Sequence, residues 1–299
     1  MEIDEYQNNL HMRLQISFIL FIGIFSIVAL NSCRDSRIHE QREMGEVFKK
    51  YGISDACFIL RDHSHDEVYL YNKVRCLERF SPASTFKIFN SLVALETAVA
   101  PDEQLIIKWD SVVRDRPELN KDMNMREAFK WSNVSYYQEL ARRIGKDYMQ
   151  HYIDTAQYGN RYIGNQIDAF WLNDSLQISA DEQVGLIRRL YFDELPFSER
   201  SQRIVRSMMT VEESDQHKIY YKTGTKAVND SLLCWVVGYA ENIVNVQEPE
   251  KSMNKSSVRS YPYFFAMNFT VPNDAHKDWF AIRMQVLRAL LNQVAFTNR

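Results

Sequence analysis

The β-strand patterns of this 299-residue sequence lie near its two ends, and helical patterns fill the stretch between them. Residues 56–60 and 67–71 are short runs of β-forming apolar residues around a polar turn, which predicts a hairpin. Residues 218–222, 232–240 and 261–271 are β-branched and aromatic runs, which predict three consecutive antiparallel strands. A hairpin at one end and three strands at the other indicate that the two chain ends share one sheet.

The region between these strands has the periodicity of amphipathic helices. A helix is predicted from Ser84 to about residue 99, and residues 101–180 are expected to be mostly helical. Further helices are expected at 180–191, 199–211 and 279–296. The predicted fold class is therefore α+β, with an antiparallel β-sheet built from both chain ends and packed against terminal helices and a mostly helical middle region.

The composition lacks the electrostatic footprint of a nucleic-acid-binding protein. The formal net charge is -3, Lys and Arg are scattered, and no block of five like charges occurs. No H-E-x-x-H motif occurs, and His63 and His65 lie in a polar turn without a third ligand nearby. Neither a nucleic-acid partner nor a metal is therefore expected.

The N-terminal segment has the pattern of an export signal. Residues 16–30 are uncharged and apolar, follow Arg13, and are too short for a comfortable membrane span. We expect residues 1–32 to be a signal peptide that directs secretion across the inner membrane to the periplasm. The residues before Cys33 resemble a bacterial lipoprotein box, in which this cysteine is lipidated and becomes the first mature residue. Plain cleavage and an uncleaved anchor stay open, as does a start at Met12.

After the signal, residues 33–50 are polar and charged and are expected to form a tether or a first helix. Residues 51–299 are expected to form one domain. The three cysteines after Cys33 are odd in number and give no disulfide framework, so free thiols are expected. A Cys57–Cys76 disulfide stays open if the predicted hairpin brings the two together. Cys234 lies in an apolar run and is expected to be buried.

A serine three residues before a lysine opens the first long predicted helix. Ser84 lies in its first turn, and Lys87 lies one turn on, on nearly the same face. Free backbone N–H groups and the helix dipole favour a developing anion at that position. A hydroxyl beside a basic amine is one arrangement for an activated nucleophile. Taken alone, the same spacing is also typical of a capping serine with a solvated lysine.

Two further motifs follow in a set order. Ser132-Asn-Val134 lies in a break between helices, and Lys222-Thr-Gly224 lies on a predicted strand. S-x-x-K, a serine motif of this kind and K-T-G, in that order, form the motif set of penicillin-binding proteins and related β-lactamases. Each motif alone is weak evidence, but the ordered set favours a catalytic site.

The chemistry of acyl transfer explains these residue types. The reaction needs a nucleophile, a nearby base, an oxyanion site and a clamp for the substrate carboxylate. Ser84 is expected to be the nucleophile, with its own N–H and that of Thr225 as the oxyanion hole. Ser132 is expected to relay a proton to the leaving nitrogen. Lys222 and Thr223 supply a positive charge and a hydroxyl for a carboxylate.

The mature chain resembles the class D, or oxacillinase-type, serine β-lactamases. The resemblance rests on the run from Phe80 to Lys87, the S-x-V and K-T-G motifs, and short family signatures at residues 138–145, 158–160, 170–172 and 235–238. It implies substrate contacts for a further set of residues, namely Val134, Thr223, Gly224, Thr225 and Arg283. Arg283 would bind the substrate carboxylate, although Arg288 is a helical neighbour. Phe89 departs from the family, which commonly has proline there.

The same resemblance implies a modified lysine. Lys87 would be carbamylated by CO₂ to N6-carboxylysine, the carbamate would act as general base, and Trp171 would hold it by a hydrogen bond. Only the neutral amine attacks CO₂, and an apolar pocket lowers a lysine pKa. The expected walls of that pocket are Phe86, Phe89, Val134, Trp171 and Leu172. No E-x-x-L-N motif follows Ser132, which leaves Lys87 as the available base. No cofactor besides CO₂ or bicarbonate is implied.

The sequence therefore predicts a secreted or lipid-anchored β-lactamase that hydrolyses β-lactam antibiotics through an acyl-enzyme on Ser84 and confers resistance to them. The alternatives are a penicillin-binding sensor domain and a D,D-transpeptidase-like protein, which acylate without rapid turnover. A monomer or homodimer is expected, with membrane contact only through the lipid anchor. Substrate range is expected to depend on loops at residues 225–231 and 241–259, and the second is long and polar enough to predict an insertion.

Overall fold

The computed structural model describes residues 37–247, 256–274 and 276–296. The predicted signal peptide and Cys33 lie outside the described residues. Within the segment expected to be a tether or a first helix, a short strand, β1 (Ile38–Glu40), precedes a helix, α1 (Met44–Lys50). Among the helices of the described part, none has the length and apolar character needed to cross a membrane.

The strands form a single sheet that contains both ends of the described chain. After β1 come β2 (Asp55–Asp62), β3 (Glu67–Tyr71), β4 (Thr210–Glu213), β5 (His217–Val228), β6 (Ser231–Gln247) and β7 (Ser256–Pro272). Their spatial order is β1-β3-β2-β7-β6-β5-β4. β2 runs antiparallel to β7, with Asp55 opposite Thr270. The first hairpin therefore joins the C-terminal strands, which confirms that the two ends share one sheet.

Helices cover both faces of this sheet. Besides α1, the described helices are α2 (Lys73–Leu77), α3 (Lys87–Glu96), α4 (Met125–Lys130), α5 (Val134–Ile144), α6 (Lys146–Thr155), α7 (Ala180–Tyr191), α8 (Glu199–Met208) and α9 (Trp279–Val294). α7 packs against β2, β6 and β7, whereas α9 packs against α1 and β6. The predicted α+β architecture, with terminal helices on the sheet, is confirmed.

Alternation along the strands builds two hydrophobic cores. On β7, Phe264 and Ala266 belong to the core shared with α3 and α7, whereas Phe265 and Met267 belong to the core shared with α1 and α9. Because successive strand residues point to opposite faces, a continuous apolar run needs cover on both sides. The cysteines beyond the signal region are buried free thiols, as expected: Cys57, Cys76 and Cys234.

The expected helical middle is interrupted by two irregular segments. The only helical element described in residues 101–124 is a short 3-10 turn, Pro117–Leu119. Residues 156–179 form mainly turns and bends. Polar side chains bind backbone N–H groups in the first segment: Asp110 accepts from Val112, and Asn120 accepts from Arg114. Such local hydrogen bonds compete with helical ones, so the prediction of a mostly helical region is wrong for these two segments.

The expected insertion at residues 241–259 is largely strand. β6 and β7 stay paired out to Gln247 and Ser256, and residues 248–255 lie outside the described part. The β-branched residues Ile243, Val244 and Val246 favour an extended backbone despite the polar residues between them. Residues 241–247 and 256–259 are therefore strand rather than the expected loop, and the predicted insertion stays a prediction.

Two other predictions near the C-terminal strands also need correction. Residues 225–231 do not form a broad loop, because β5 and β6 are joined by the two-residue turn Asn229-Asp230. Asn229 has a left-handed φ of +51°, which such tight hairpin turns require. The helix expected to reach residue 211 ends at Met208, and β4 begins at Thr210. β4 supplies a fourth C-terminal strand that the sequence pattern did not indicate.

Gly238 in β6 and Gly185 in α7 form a matched test of this packing. A Cβ at Gly238 would lie 2.0 Å from the carbonyl oxygen of Tyr220, whereas a Cβ at Gly185 meets nothing within 4 Å. Gly238→Ala is expected to lower the free energy of unfolding by about 1–3 kcal/mol because of overpacking. Gly185→Ala is expected to raise it by about 0.5–1 kcal/mol. Urea unfolding measures both, and effects of the same sign would contradict this packing.

Candidate active site

Ser84 lies in a 3-10 turn, Ala83–Phe86, that leads directly into α3. The backbone just before this turn is anchored at Ser81. The hydroxyl of Ser81 donates to the carbonyl of Trp171 at 2.7 Å, and its carbonyl accepts from the indole N–H of Trp235 at 3.0 Å. Two tryptophans from distant parts of the chain therefore fix the approach to the candidate nucleophile.

Lys87 is completely buried, and its Nζ donates a hydrogen bond to Oγ of Ser84 at 2.7 Å. Burial lowers the pKa of Lys87 to about 7. The cause is desolvation, because an ammonium group loses more hydration free energy than a neutral amine when it leaves water. A large fraction of Lys87 is therefore a neutral amine near pH 7, in direct contact with the serine hydroxyl.

Aromatic rings enclose the Lys87 amine. The ring of Phe86 stacks on Trp171 with centroids 5.4 Å apart, and the Tyr137 ring centroid lies 5.4 Å from Nζ of Lys87. Trp171 is fully buried, and its Nε1 has no hydrogen-bond partner among the described residues. A buried N–H without an acceptor is costly, so an acceptor placed here would be strongly favoured.

The expected pocket walls are only partly those observed. Phe86, Phe89 and Trp171 are buried, and Leu172 is half-buried. Val134, the first residue of α5, is 38% exposed, and its expected place in the pocket wall stays a prediction. Tyr137, one helical turn further along, contributes an aromatic ring that the sequence did not predict. Phe89, at the position where the family commonly has proline, packs against the Tyr158 ring at 4.9 Å.

The second and third motifs meet on the other side of the nucleophile. Nζ of Lys222 donates to Oγ of Ser132 at 3.1 Å and to the carbonyl of Thr223 at 3.1 Å. Burial lowers the pKa of Lys222 well below its ordinary value, and the charges of Lys87, Arg283 and Arg116 lower it further. Lys222 is thus a buried amine whose charged form is disfavoured and has no carboxylate partner among the described residues.

Two residues near the reacting groups have left-handed backbones. Ala83 has a φ of +49° and Ser132 a φ of +57°. This conformation is energetically unfavourable for residues with a Cβ, and such strain is common where side chains are held for catalysis. In Ser132 it turns the chain between α4 and α5, and the next residue, Asn133, caps α5 by accepting from the N–H of Tyr136.

β5 presents a free backbone edge to the nucleophile. β4 pairs with β5 only from Lys218 to Tyr221, so no described strand covers that edge from Lys222 onward. A Cβ at Gly224 would lie 3.0 Å from the carbonyl oxygen of Pro82 and 3.3 Å from the backbone nitrogen of Ser84. Glycine therefore allows the strand and the nucleophile turn to approach closely, as an oxyanion site between them requires.

The structure distinguishes between the two candidate arginines on α9. Arg283 is buried, and its Nη1 donates to the carbonyl of Gly224 at 2.7 Å and to Oγ1 of Thr225 at 3.1 Å. Its Nε has no partner among the described residues. Arg288 instead forms an ion pair with Glu212 at 2.8 Å. Arg283 is the one that reaches the K-T-G strand.

A cavity of about 660 Å³ connects these groups. It is lined by Ser84, Arg116, Lys130, Trp131, Ser132, Thr210, Tyr221, Lys222, Thr223, Gly224, Thr225, Phe280 and Arg283. Val134 is not among them. Sequence reasoning missed six of the lining residues: Arg116, Lys130, Trp131, Thr210, Tyr221 and Phe280. Three of these could have been found from the sequence: Trp131 and Tyr221 directly precede the second and third motifs, and Phe280 lies one helical turn before Arg283.

Comparisons with known proteins identify the family of this chain. The penicillin binding protein transpeptidase domain family matches residues 42–261. A probable β-lactamase, YbxI of Bacillus subtilis, is 38% identical over 218 residues, which cover 73% of this chain and 80% of the relative. The crystal structure of the class D β-lactamase YbXI from Nostoc is 38% identical, has a TM-score of 0.73, and covers 84% of this chain and 98% of that one. The chain belongs to the class D serine β-lactamases.

One similar structure has a different role. The C-terminal domain of the Bacillus licheniformis BlaR penicillin-receptor is 27% identical with a TM-score of 0.73, and covers 86% of this chain and 96% of that chain. The same fold therefore occurs in a receptor as well as in enzymes, and the fold alone does not distinguish between the two.

Trp171 and Trp235 provide a matched pair of substitutions, because both are fully buried. Trp235→Phe leaves the carbonyl of Ser81 without its donor, whereas Trp171→Phe removes an N–H that has no partner in the described chain. We expect Trp235→Phe to cost about 1–3 kcal/mol more unfolding free energy than Trp171→Phe. Denaturant unfolding in CO₂-free buffer at pH 6 measures both. Equal losses would contradict the unpaired state of the Trp171 N–H.

Proposed function

We propose that this protein hydrolyses β-lactams through an acyl-enzyme on Ser84 and thereby confers resistance to them. The observation that carries this proposal is the 2.7 Å hydrogen bond between Nζ of Lys87 and Oγ of Ser84. Burial lowers the pKa of this amine to about 7. Such a neutral amine is a base, whereas a lysine with an ordinary pKa is a protonated acid at neutral pH.

The first half-reaction forms the ester. Oγ of Ser84 attacks the lactam carbonyl carbon while its proton passes to the base at Lys87. The N–H groups of Ser84 and Thr225 would stabilise the developing oxyanion, and losing one such donor typically costs about 3 kcal/mol of transition-state stabilisation. When the C–N bond breaks, the lactam nitrogen takes a proton through Ser132, which Lys222 contacts at 3.1 Å.

The substrate carboxylate fits the cation sites beside the nucleophile. Lys222 and Arg283 are buried, and neither forms an ion pair with a carboxylate of the described residues. The pKa of Lys222 is lowered by burial and by neighbouring positive charges, so an arriving anion would restore its charged form. Thr223 and Thr225 add hydroxyl groups to this clamp.

The base at Lys87 is proposed to be its carbamate. CO₂ added to the neutral amine would supply a carboxylate-like base for acylation and for hydrolysis of the ester. Three properties of this chain fit that group: the depressed pKa of Lys87, its aromatic surroundings, and the unpaired Nε1 of Trp171, which would donate to a carbamate oxygen. Export of the mature chain from residue 33, with or without lipid at Cys33, stays a prediction.

The alternative function is a penicillin sensor that is acylated at Ser84 and stays acylated. Its support is the similarity to the BlaR penicillin-receptor domain. The two functions differ in hydrolysis of the acyl-enzyme, because only the enzyme activates water after acylation. Both functions require acylation of Ser84, so deacylation is the property to measure.

Hydrolysis of a chromogenic β-lactam at pH 6 and pH 8, with and without added bicarbonate, tests the proposal. With a pKa of about 7, most of Lys87 is protonated at pH 6 and neutral at pH 8. Added bicarbonate is therefore expected to raise kcat by about threefold or more at pH 6, and by less than about twofold at pH 8. Ser84→Ala is the control and should show no turnover.

Two results would contradict the proposal. Absence of turnover in all four conditions, with a stable adduct on Ser84 by mass spectrometry, would establish the sensor instead. Turnover that bicarbonate leaves unchanged at both pH values would exclude the carbamate while leaving the hydrolase intact.

A further inference from the structure

The cavity over Ser84 is lined by four basic residues, Arg116, Lys130, Lys222 and Arg283, and by no carboxylate of the described residues. Two of the cations, Lys222 and Arg283, are the proposed clamp for the substrate carboxylate. The other two, Arg116 and Lys130, have no role in the mechanism above. Positive charge that lines a cleft concentrates anions there, so the second pair of basic side chains favours an anionic ligand group.

Arg116 is held at the edge of the cavity by its neighbours. Its Nη1 donates to the carbonyl of Trp131 at 3.2 Å, and its Nε donates to Glu118 at 2.8 Å. Glu118 does not line the cavity, and the Arg116 side chain is 51% exposed. The charge of Arg116 still reaches the interior, because it contributes to the lowered pKa of Lys222.

Lys130 lies on the same side of the cavity as Arg116. It ends α4, and its Nζ lies 5.3 Å from the centroid of the Trp131 ring. Within the described chain it forms no ion pair with a carboxylate. Arg116 and Lys130 thus both contact Trp131, the residue before Ser132. Thr210, Tyr221 and Phe280 add only uncharged side chains to the lining of the cavity.

We propose that Arg116 and Lys130 select β-lactams that carry a second negative charge on the acylamino side chain. This inference rests on the proposed β-lactamase function. Lys222 and Arg283 hold the ring carboxylate, and the Trp131 side of the cavity attracts the second anion. Because both selecting cations are partly or fully exposed, the preference is modest, about two- to tenfold for the pair.

Three penicillins isolate this effect: benzylpenicillin, carbenicillin and ampicillin. They share the ring system and the phenyl group and differ at one side-chain carbon, which carries hydrogen, a carboxylate or an ammonium group. The expected order of kcat/KM is carbenicillin, then benzylpenicillin, then ampicillin. In the double variant Arg116→Gln/Lys130→Gln, the ratio of carbenicillin to benzylpenicillin is expected to fall by about two- to tenfold. High salt should shrink the ratio in the parent protein.

A matched control removes two exposed charges elsewhere. Lys73→Gln/Arg203→Gln changes net charge by the same amount on α2 and α8 and should leave the ratio unaltered. Lys130→Glu is a second test, because the Lys130 side chain forms no hydrogen bond within the described chain that the fold would lose. The variant should hydrolyse ampicillin in preference to carbenicillin.

The selectivity would be overturned if the carbenicillin-to-benzylpenicillin ratio of kcat/KM were unaltered in both Arg116→Gln/Lys130→Gln and Lys130→Glu. With turnover intact, that result would leave the β-lactamase function standing. If the protein is acylated without turnover, the acylation rate constants of the three penicillins give the same comparison. Failure of the proposed function and failure of this inference are therefore distinguishable.

Discussion

A buried amine that donates to a serine hydroxyl is the interaction on which the site depends. The Lys87 side chain has no exposed surface, and among the described residues its Nζ donates one hydrogen bond, to Oγ of Ser84. An ammonium ion is poorly stabilised there, so the pocket favours the neutral amine. The enclosing rings of Phe86, Trp171 and Tyr137 determine both the basicity of this amine and its isolation from water.

The sheet and the nucleophile turn are arranged around this amine. Trp235 on β6 and the carbonyl of Trp171 both bind Ser81, so the central sheet and the irregular segment 156–179 fix the same turn. On the other side, two buried basic residues, Lys222 and Arg283, form no ion pair with a described carboxylate, and burial disfavours the charged form of Lys222. This arrangement weakens the folded protein slightly and prepares it for an anionic ligand, which is the trade-off expected at an active site.

The sequence predicted those parts of the fold that rest on repeated local patterns. The apolar strands β2, β6 and β7 were predictable because their periodicity is strong, whereas β4, Thr210–Glu213, is short and polar and forms only by pairing with β5. The ordered motifs identified the residues that meet at Ser84. The contributions of Tyr137 and Arg116 could not be predicted, because the first depends on how α5 packs beside Lys87 and the second lies in an irregular segment.

The site as described requires that Lys87 is a neutral amine that takes up CO₂. Carbamylation of Lys87 is measured most directly by carbon-13 NMR of the purified protein in labelled bicarbonate at pH 8, compared with the Lys87→Met variant. We expect one carbamate resonance in the parent protein that is absent from the variant and weakens as the pH falls below about 7. A parent spectrum without that resonance, or one identical to that of the variant, would exclude carbamylation of Lys87.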